Sequence, residues 1–245
     1  MHKKLFPKLP FVSIIMPLYN EERRLLNLSK IYKYFDNTDL IYEVILINDG
    51  SRDKTLKKIN ELSKNFKFKL ISYQENRGKG YAIKAGMTAA SGKYRLFTDI
   101  DLSTPIEEFD KFLPNLPDYD IIIGSRKKRG SRLIIHQPKL REKLGKGFTK
   151  LSQWCLSLSL TDFTCGFKCF SKEAVEKIFS RQKIDRWGFD TEILFIGKKM
   201  GFSIKEVPVV WKNDRETKVR LPQDIINSLY DLIKIRYNKF RGLYD

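Results

Sequence analysis

Asp99 and Asp101 stand two residues apart in the run Thr98-Asp-Ile-Asp-Leu-Ser-Thr-Pro105, directly after the apolar stretch Tyr94–Phe97. On a strand, side chains at i and i+2 point the same way. The pair is therefore placed either to converge on one hard cation or to divide its work between a ribose and a cation. Mg²⁺ and Mn²⁺ favour such sites, taking one or two carboxylates and filling the remaining positions with water and phosphate oxygens. This chemistry suits a metal-bound nucleoside diphosphate. A second pair, Asp190 and Glu192, has the same spacing near an expected helix start, where both are placed to face a cleft or one to cap the helix. A histidine base has no support, because the only histidines are His2 and His136. Cys155, Cys165 and Cys169 are odd in number, lack Cys-x-x-Cys spacing and read as reduced, mostly buried thiols.

The elements that must hold these residues are visible as a repeating pattern. Val12–Met16 reads as a buried strand followed by Pro17-Leu-Tyr-Asn-Glu21 and a helical stretch. Val44–Ile47 ends in Asn48-Asp-Gly-Ser51-Arg-Asp53, where the glycine permits a tight turn and Asp53 is placed to begin the next helix. A third strand, around Phe68–Ser72, leads to Glu75-Asn-Arg-Gly-Lys-Gly80 and a helix through Ala90; Tyr94–Phe97 is the fourth and a fifth precedes Arg126. Strands that repeatedly run through a polar loop into a helix predict an α/β fold, with a mostly parallel sheet, flanking helices and ligands at the carboxyl ends of the strands.

Taken together, Pro17-x-Tyr-Asn-Glu21, Asn48-Asp-Gly-Ser51, Asn76-Arg-Gly-Lys-Gly80 and Asp99-x-Asp101 resemble the family 2 glycosyltransferases of GT-A (Rossmann-like) fold. Gly124-Ser-Arg126, Asp162-Phe-Thr-Cys-Gly-Phe-Lys168, Trp187-Gly-Phe-Asp-Thr-Glu192 and Glu206-Val-Pro-Val-Val-Trp211 are similar to the polyprenyl (dolichyl) phosphate β-glucosyltransferase branch, and the likeness runs from about Val12 to Val219. The resemblance implies an inverting transferase that uses Mg²⁺ or Mn²⁺ to move a sugar, glucose from UDP-glucose, to a polyprenyl phosphate. It places Pro17, Tyr19 and Glu21 around the base and ribose, with the proline holding the turn open after the first strand. Asp49 would accept a nucleobase N–H, and Arg77 and Lys79 would contact the nucleotide. Asp99 would hold the ribose, Asp101 the metal, and Asp190 the sugar hydroxyls in the region where hydroxyl-glycosylating relatives carry a base. Arg126 and Arg141 resemble the acceptor-phosphate arginines. Asn48 stands where many members have a first aspartate, and Gly145 where related enzymes offer a serine.

Length and composition set the frame. The 245 residues, 42% hydrophobic and 31% charged, are most economically one domain. Within it, residues 1–125 form a nucleotide-sugar-binding half, 126–220 an acceptor-binding half and 221–245 an amphipathic helical segment. No apolar run approaches the roughly twenty residues of a membrane span, and Met1–Pro7 lacks the apolar core of a signal peptide. The expected location is the cytoplasm, peripheral on the cytoplasmic face of a membrane.

The net charge is +18, and residues 126–150 contribute ten Lys/Arg against Glu142 alone. Such a field attracts phosphate, anionic lipid or nucleic acid; a nucleic-acid binder leaves the aspartate pair and Asp49 without a purpose, so anionic lipid is the expected partner. Apolar residues recur at helical spacing in Lys143–Leu160 (Leu144, Phe148, Leu151, Cys155, Leu158) and in Pro222–Phe240 (Ile225, Ile226, Leu229, Leu232, Ile233), both with basic flanks. These stripes suit either a membrane interface or packing on the sheet. Two other readings stay open, a transferase acting on a glycan hydroxyl and one using GDP-mannose.

Overall fold

The computed structural model describes residues 9–135, 138–214 and 223–245. Nine strands and seven helices alternate along the described chain: β1 Val12–Leu18, α1 Leu28–Asp36, β2 Tyr42–Asp49, α2 Thr55–Leu62, β3 Lys69–Tyr73, α3 Lys79–Ala89, β4 Tyr94–Thr98, β5 Ile121–Ser125, β6 Arg132–Ile135, α4 Lys139–Leu156, β7 Phe167–Ser171, α5 Lys172–Arg181, α6 Phe189–Lys199, β8 Ile204–Pro208, β9 Val210–Lys212 and α7 Gln223–Phe240. Seven strands form one sheet in the order β3-β2-β1-β4-β7-β5-β8, while β6 and β9 form a small parallel pair.

The central strands are apolar on both faces because both faces are covered. Ile15, Ile45, Ile47, Phe97, Ile121 and Ile123 face a core shared with α3, α5, α6 and α7. Their neighbours Ile14, Met16, Val44, Leu46, Leu96 and Ile122 face the opposite core, built with α1 and the 3-10 turns around Phe109 and Phe112. The period-two alternation of a strand thus assigns adjacent residues to different layers. Close approach on the first face depends on Gly86 of α3, where a Cβ would lie 2.5 Å from Ile15 Cγ2.

One strand breaks the parallel order. β7 runs antiparallel between β4 and β5, with Thr98 opposite Phe167 and Ile123 opposite Lys168. Its amino-terminal end therefore lies at the sheet edge where β1, β2, β4 and β5 deliver their carboxyl ends, and it carries residues 162–166 to Asp99.

Several expected boundaries shift. β1 extends through Leu18, so Pro17 is a strand residue in register with Ile47, two residues past the last β1–β4 pair, and not part of the following turn. The helix expected over Lys143–Leu160 instead spans Lys139–Leu156 and ends at Ser157 in the left-handed conformation. The expected helix Pro222–Phe240 begins at Gln223; Pro222 lies outside the described residues.

Candidate active site

Three loops at the carboxyl edge are stitched together by their own polar groups. Asn20, at φ +51°, donates its N–H to Ser51 Oγ and accepts the Arg52 N–H on its side-chain oxygen. Glu21 donates its N–H to Thr55 Oγ1 (2.8 Å) and pairs through its carboxylate with Arg24 (2.9 Å). Asp53 Oδ1 accepts the Thr55 N–H at 2.9 Å at the start of α2, where its position suggested it would act. Gly50 needs its positive φ of 63°, and a Cβ there would overlap the Glu75–Asn76 backbone. Asn48 is buried and closes the same turn, accepting from Ser51 N–H and donating to Ser72 Oγ.

Asp49 is nearly fully buried, and its carboxylate accepts Asn76 Nδ2 (2.7 Å), Arg77 N–H (2.8 Å) and Gly78 N–H (3.0 Å). It therefore organises the glycine loop, a role its position in the motif did not reveal. A carboxylate offers about four lone-pair sites, which leaves one beyond these three. The Arg77 guanidinium lies 3.6 Å over the Tyr81 ring and bonds its hydroxyl, one turn along α3. Lys79 opens α3 and pairs with Asp99 at 2.6 Å. Burial depresses the Lys79 ammonium, but Asp99, Asp190 and Asp101 outweigh it and hold its pKa above the ordinary value.

Asp99 and Asp101 lie past the end of β4, in a turn where Leu102 takes φ +50° and donates its N–H to the Asp99 carbonyl. Turn geometry, not strand alternation, sets their relation. Asp101 Oδ1 accepts the Ser103 N–H at 2.9 Å. Burial, followed by the Asp99 charge, raises the Asp101 pKa. The floor beneath Asp99 is Gly166, where a Cβ would overlap Asp99 Oδ2 and stand 3.5 Å from Lys79 Nζ.

The second half of the site is a chain of buried ion pairs. Lys168, fully buried on β7, donates to Asp190 Oδ1 and to the Cys165 carbonyl. Burial raises the Asp190 pKa, and Lys168 and Lys79 pull against it. Arg126 donates Nε and Nη2 to Asp162 (2.7 and 2.8 Å) and Nη2 also to Thr164 (2.9 Å), with Trp211 5.5 Å away beneath its guanidinium. Burial opposes charge on both partners, yet the pair wins: Asp162 is held well below the carboxylate range and Arg126 is raised. Glu206 accepts the Thr161 and Asp162 N–H groups and so fixes Asp162 in place. Lys127 donates to the Gly145 carbonyl and Thr149, tying α4 beside Arg126. Arg141 belongs to α4, but its side chain lies outside the described residues.

Asp190 and Glu192 do not face one cleft, and neither caps α6. Residues two apart on a helix diverge. Asp190 turns toward Lys168 and Lys79, whereas Glu192 turns away to accept the Lys183 and Ile184 N–H groups and the Tyr244 hydroxyl. The structure thus brings Lys79, Asp99, Asp101, Asp190 and Arg126 into one electrostatic neighbourhood and leaves Glu192 outside it. Lys168 and Gly166 complete it; only their place in the 162–168 motif marked them.

Comparisons with known proteins show the family and the fold. The family described as Glycosyl transferase family 2 matches residues 13–179. The dolichyl-phosphate beta-glucosyltransferase of Dictyostelium discoideum is 32% identical over 96% of this chain and 76% of its own length. The Homo sapiens protein of the same name is 30% identical over 95% of this chain and 77% of its own. Among solved structures, glucosyl-3-phosphoglycerate synthase from Mycobacterium tuberculosis, in complex with Mn²⁺, UDP and glucosyl-3-phosphoglycerate, superposes with a TM-score of 0.67 at 17% identity, covering 92% of this chain and 80% of that one. Mannosyl-3-phosphoglycerate synthase from Rubrobacter xylanophilus gives 0.69 at 16% identity, covering 95% and 74%. The fold is GT-A, and the chain belongs to glycosyl transferase family 2, a glycosyltransferase whose curated relatives are dolichyl-phosphate beta-glucosyltransferases.

Proposed function

We propose that the protein moves glucose from UDP-glucose to a polyprenyl phosphate of the dolichyl type, with inversion at the anomeric carbon, at the cytoplasmic face of a membrane. The observation that carries this reading is the Lys168–Asp190 pair. Lys168 fixes Asp190 as a positioning group through Oδ1, and a phosphate monoester acceptor arrives already anionic and needs no base. Its oxygen attacks the anomeric carbon as the bond to the nucleoside diphosphate breaks. Asp190 Oδ2, with no hydrogen-bond partner among the described residues, is free to orient the sugar hydroxyls. The relatives' names point to the same donor sugar and acceptor class.

Two anions must then approach each other. Arg126 suits this because Asp162 and Trp211 lock its fork while Nη1 has no acceptor among the described residues. Arg141 is the second proposed acceptor residue. Pro17, Tyr19, Glu21 and the remaining Asp49 lone pair frame the base and ribose, with Asp99 and Lys79 beside them.

Asp101 fits a divalent cation: burial and the Asp99 charge both disfavour its ionised form, and a cation beside it relieves both. The oxygen-only donors suit Mg²⁺ or Mn²⁺. Such an ion, when bound, supplies positive charge that stabilises the departing diphosphate by several kcal/mol.

The membrane part of the proposal rests on α4 and α7, which pack together. On α7, Leu232 and Ile235 are buried while Ile226, Tyr230, Ile233, Tyr237 and Phe240 form an exposed row. Leu140, Leu144 and Trp154 are exposed on α4. Amphipathic helices with basic flanks sit in the interface plane. Among the described residues, no helix is long and apolar enough to cross a membrane.

The test is a panel of nucleotide sugars with purified protein and short-chain polyprenyl phosphate. Glucose should move from UDP-glucose onto the lipid phosphate. Transfer from GDP-mannose alone, or a soluble alkali-stable glycoside as product, would overturn the assignment.

A further inference from the structure

Residues 238–245 reach the donor loops through a buried relay that takes no part in the chemistry above. Tyr244 is 1% exposed, its ring meets Phe195 edge-on, and its hydroxyl donates to Glu192 Oε1 at 2.6 Å while accepting Asn238 Nδ2 at 3.1 Å. Glu192 is fully buried, and it accepts the Lys183 N–H at 3.0 Å and the Ile184 N–H at 2.8 Å. One carboxylate thereby ties the chain between α5 and α6 to residue 244.

That connecting segment backs the glycine loop. Tyr81 N–H donates to the Asp185 carbonyl at 3.0 Å, and Gln182 Nε2 donates to the Gly80 carbonyl at 3.0 Å. A Cβ at Gly78 would lie 2.5 Å from the Asp185 oxygen, and one at Gly80 would lie 2.6 Å from the Ile184 oxygen. The two backbones are in direct contact, so any displacement of residues 183–185 is felt at 78–81. The far side of that loop holds Asp49 through the Arg77 and Gly78 N–H groups and places Lys79 on Asp99. A second strut runs parallel: Asp231 of α7 lies against Gly188, where no side chain would fit.

We propose that Tyr244 is a positioning residue for nucleotide-sugar binding: through Glu192 and residues 183–185 it holds the Gly78–Gly80 loop in the shape that sets Asp49 and Lys79. The relay rests on the reading of those loops as the UDP-glucose site only for its effect on donor binding; the mechanical link stands without it.

The experiment uses the full chain with Tyr244→Phe, which keeps the ring and removes the hydroxyl. Amide hydrogen exchange, measured without substrate, should rise roughly tenfold at 183–184 and also at 77–81, while the β1–β4 amides keep their protection. UDP affinity and the KM for UDP-glucose should weaken several-fold, with acceptor KM close to wild type and Tm lowered by a few degrees. A role confined to local packing would raise exchange at 183–184 and 238–245 alone and leave UDP affinity unchanged; that result would overturn the proposal. If Tyr244→Phe unfolds, Glu192→Gln supplies the same readouts, and in the double variant the effects should not add. A wild-type protein that fails to bind UDP would refute the donor-site reading, and the exchange pattern would still decide the relay.

Discussion

Asp101 sits where burial and a neighbouring carboxylate both act against its charge, and a bound cation would favour its ionised form. Asp101→Asn keeps the size and removes the charge. Turnover should fall by about two or more orders of magnitude with the fold intact by circular dichroism, and wild-type activity should require Mg²⁺ or Mn²⁺. Full activity in EDTA would contradict the assignment. Asp162 presents the opposite case, since Arg126 holds its carboxyl below the ordinary value near 3.8 despite burial. A depressed folded pKa adds stability above the unfolded value that is lost as pH falls through the folded one. Asp162→Asn should therefore cost about 3–5 kcal/mol at pH 7, and the gap to wild type should shrink in denaturation curves taken below about pH 4. A gap independent of pH would mean that the pair contributes through packing alone.

At the scale of elements, the informative strand is β7. Its antiparallel insertion delivers Gly166 to the Asp99 side chain and Lys168 to Asp190, joining the two halves of the site across one strand. Gly166→Ala places a methyl group against Asp99 Oδ2 and must move Asp99 away from Lys79. UDP affinity should drop about tenfold or more, since one displaced charge-assisted contact is worth about 1.5–3 kcal/mol. Thermal unfolding should change modestly, because the strand pairs themselves are untouched. Calorimetry showing wild-type UDP binding would rule out Asp99 as a donor contact.

At the scale of the molecule, the exposed apolar rows of α4 and α7 and the concentration of charge in residues 126–150 belong to one prediction. Each cation near an anionic leaflet adds about 1 kcal/mol, and the attraction falls off within a Debye length. Binding to anionic liposomes should be strong at low salt and weaken sharply at high salt, and Ile233→Glu with Phe240→Glu should weaken it at both. Sedimentation showing no binding at low salt would mean that the lipid acceptor reaches the site by another route.

The sequence by itself determined the α/β class, the strand-to-loop rhythm and the motif residues, because apolar runs, glycine turns and carboxylate spacing are local properties. It singled out Asp101 and Arg126 as candidate site residues through their motifs. Local spacing was misleading where the backbone left the assumed geometry: Pro17 proved to be in a strand, the Asp99–Asp101 pair in a turn, and Asp190 and Glu192 on diverging faces of α6. Only the tertiary structure decided what each charge is paired with. Lys168 meets Asp190 across 22 residues, Arg126 meets Asp162 across 36, and Tyr244 meets Glu192 across 52. Those partners are chosen by strand order and by the burial that makes an unpaired charge costly, and neither can be read from spacing along the chain.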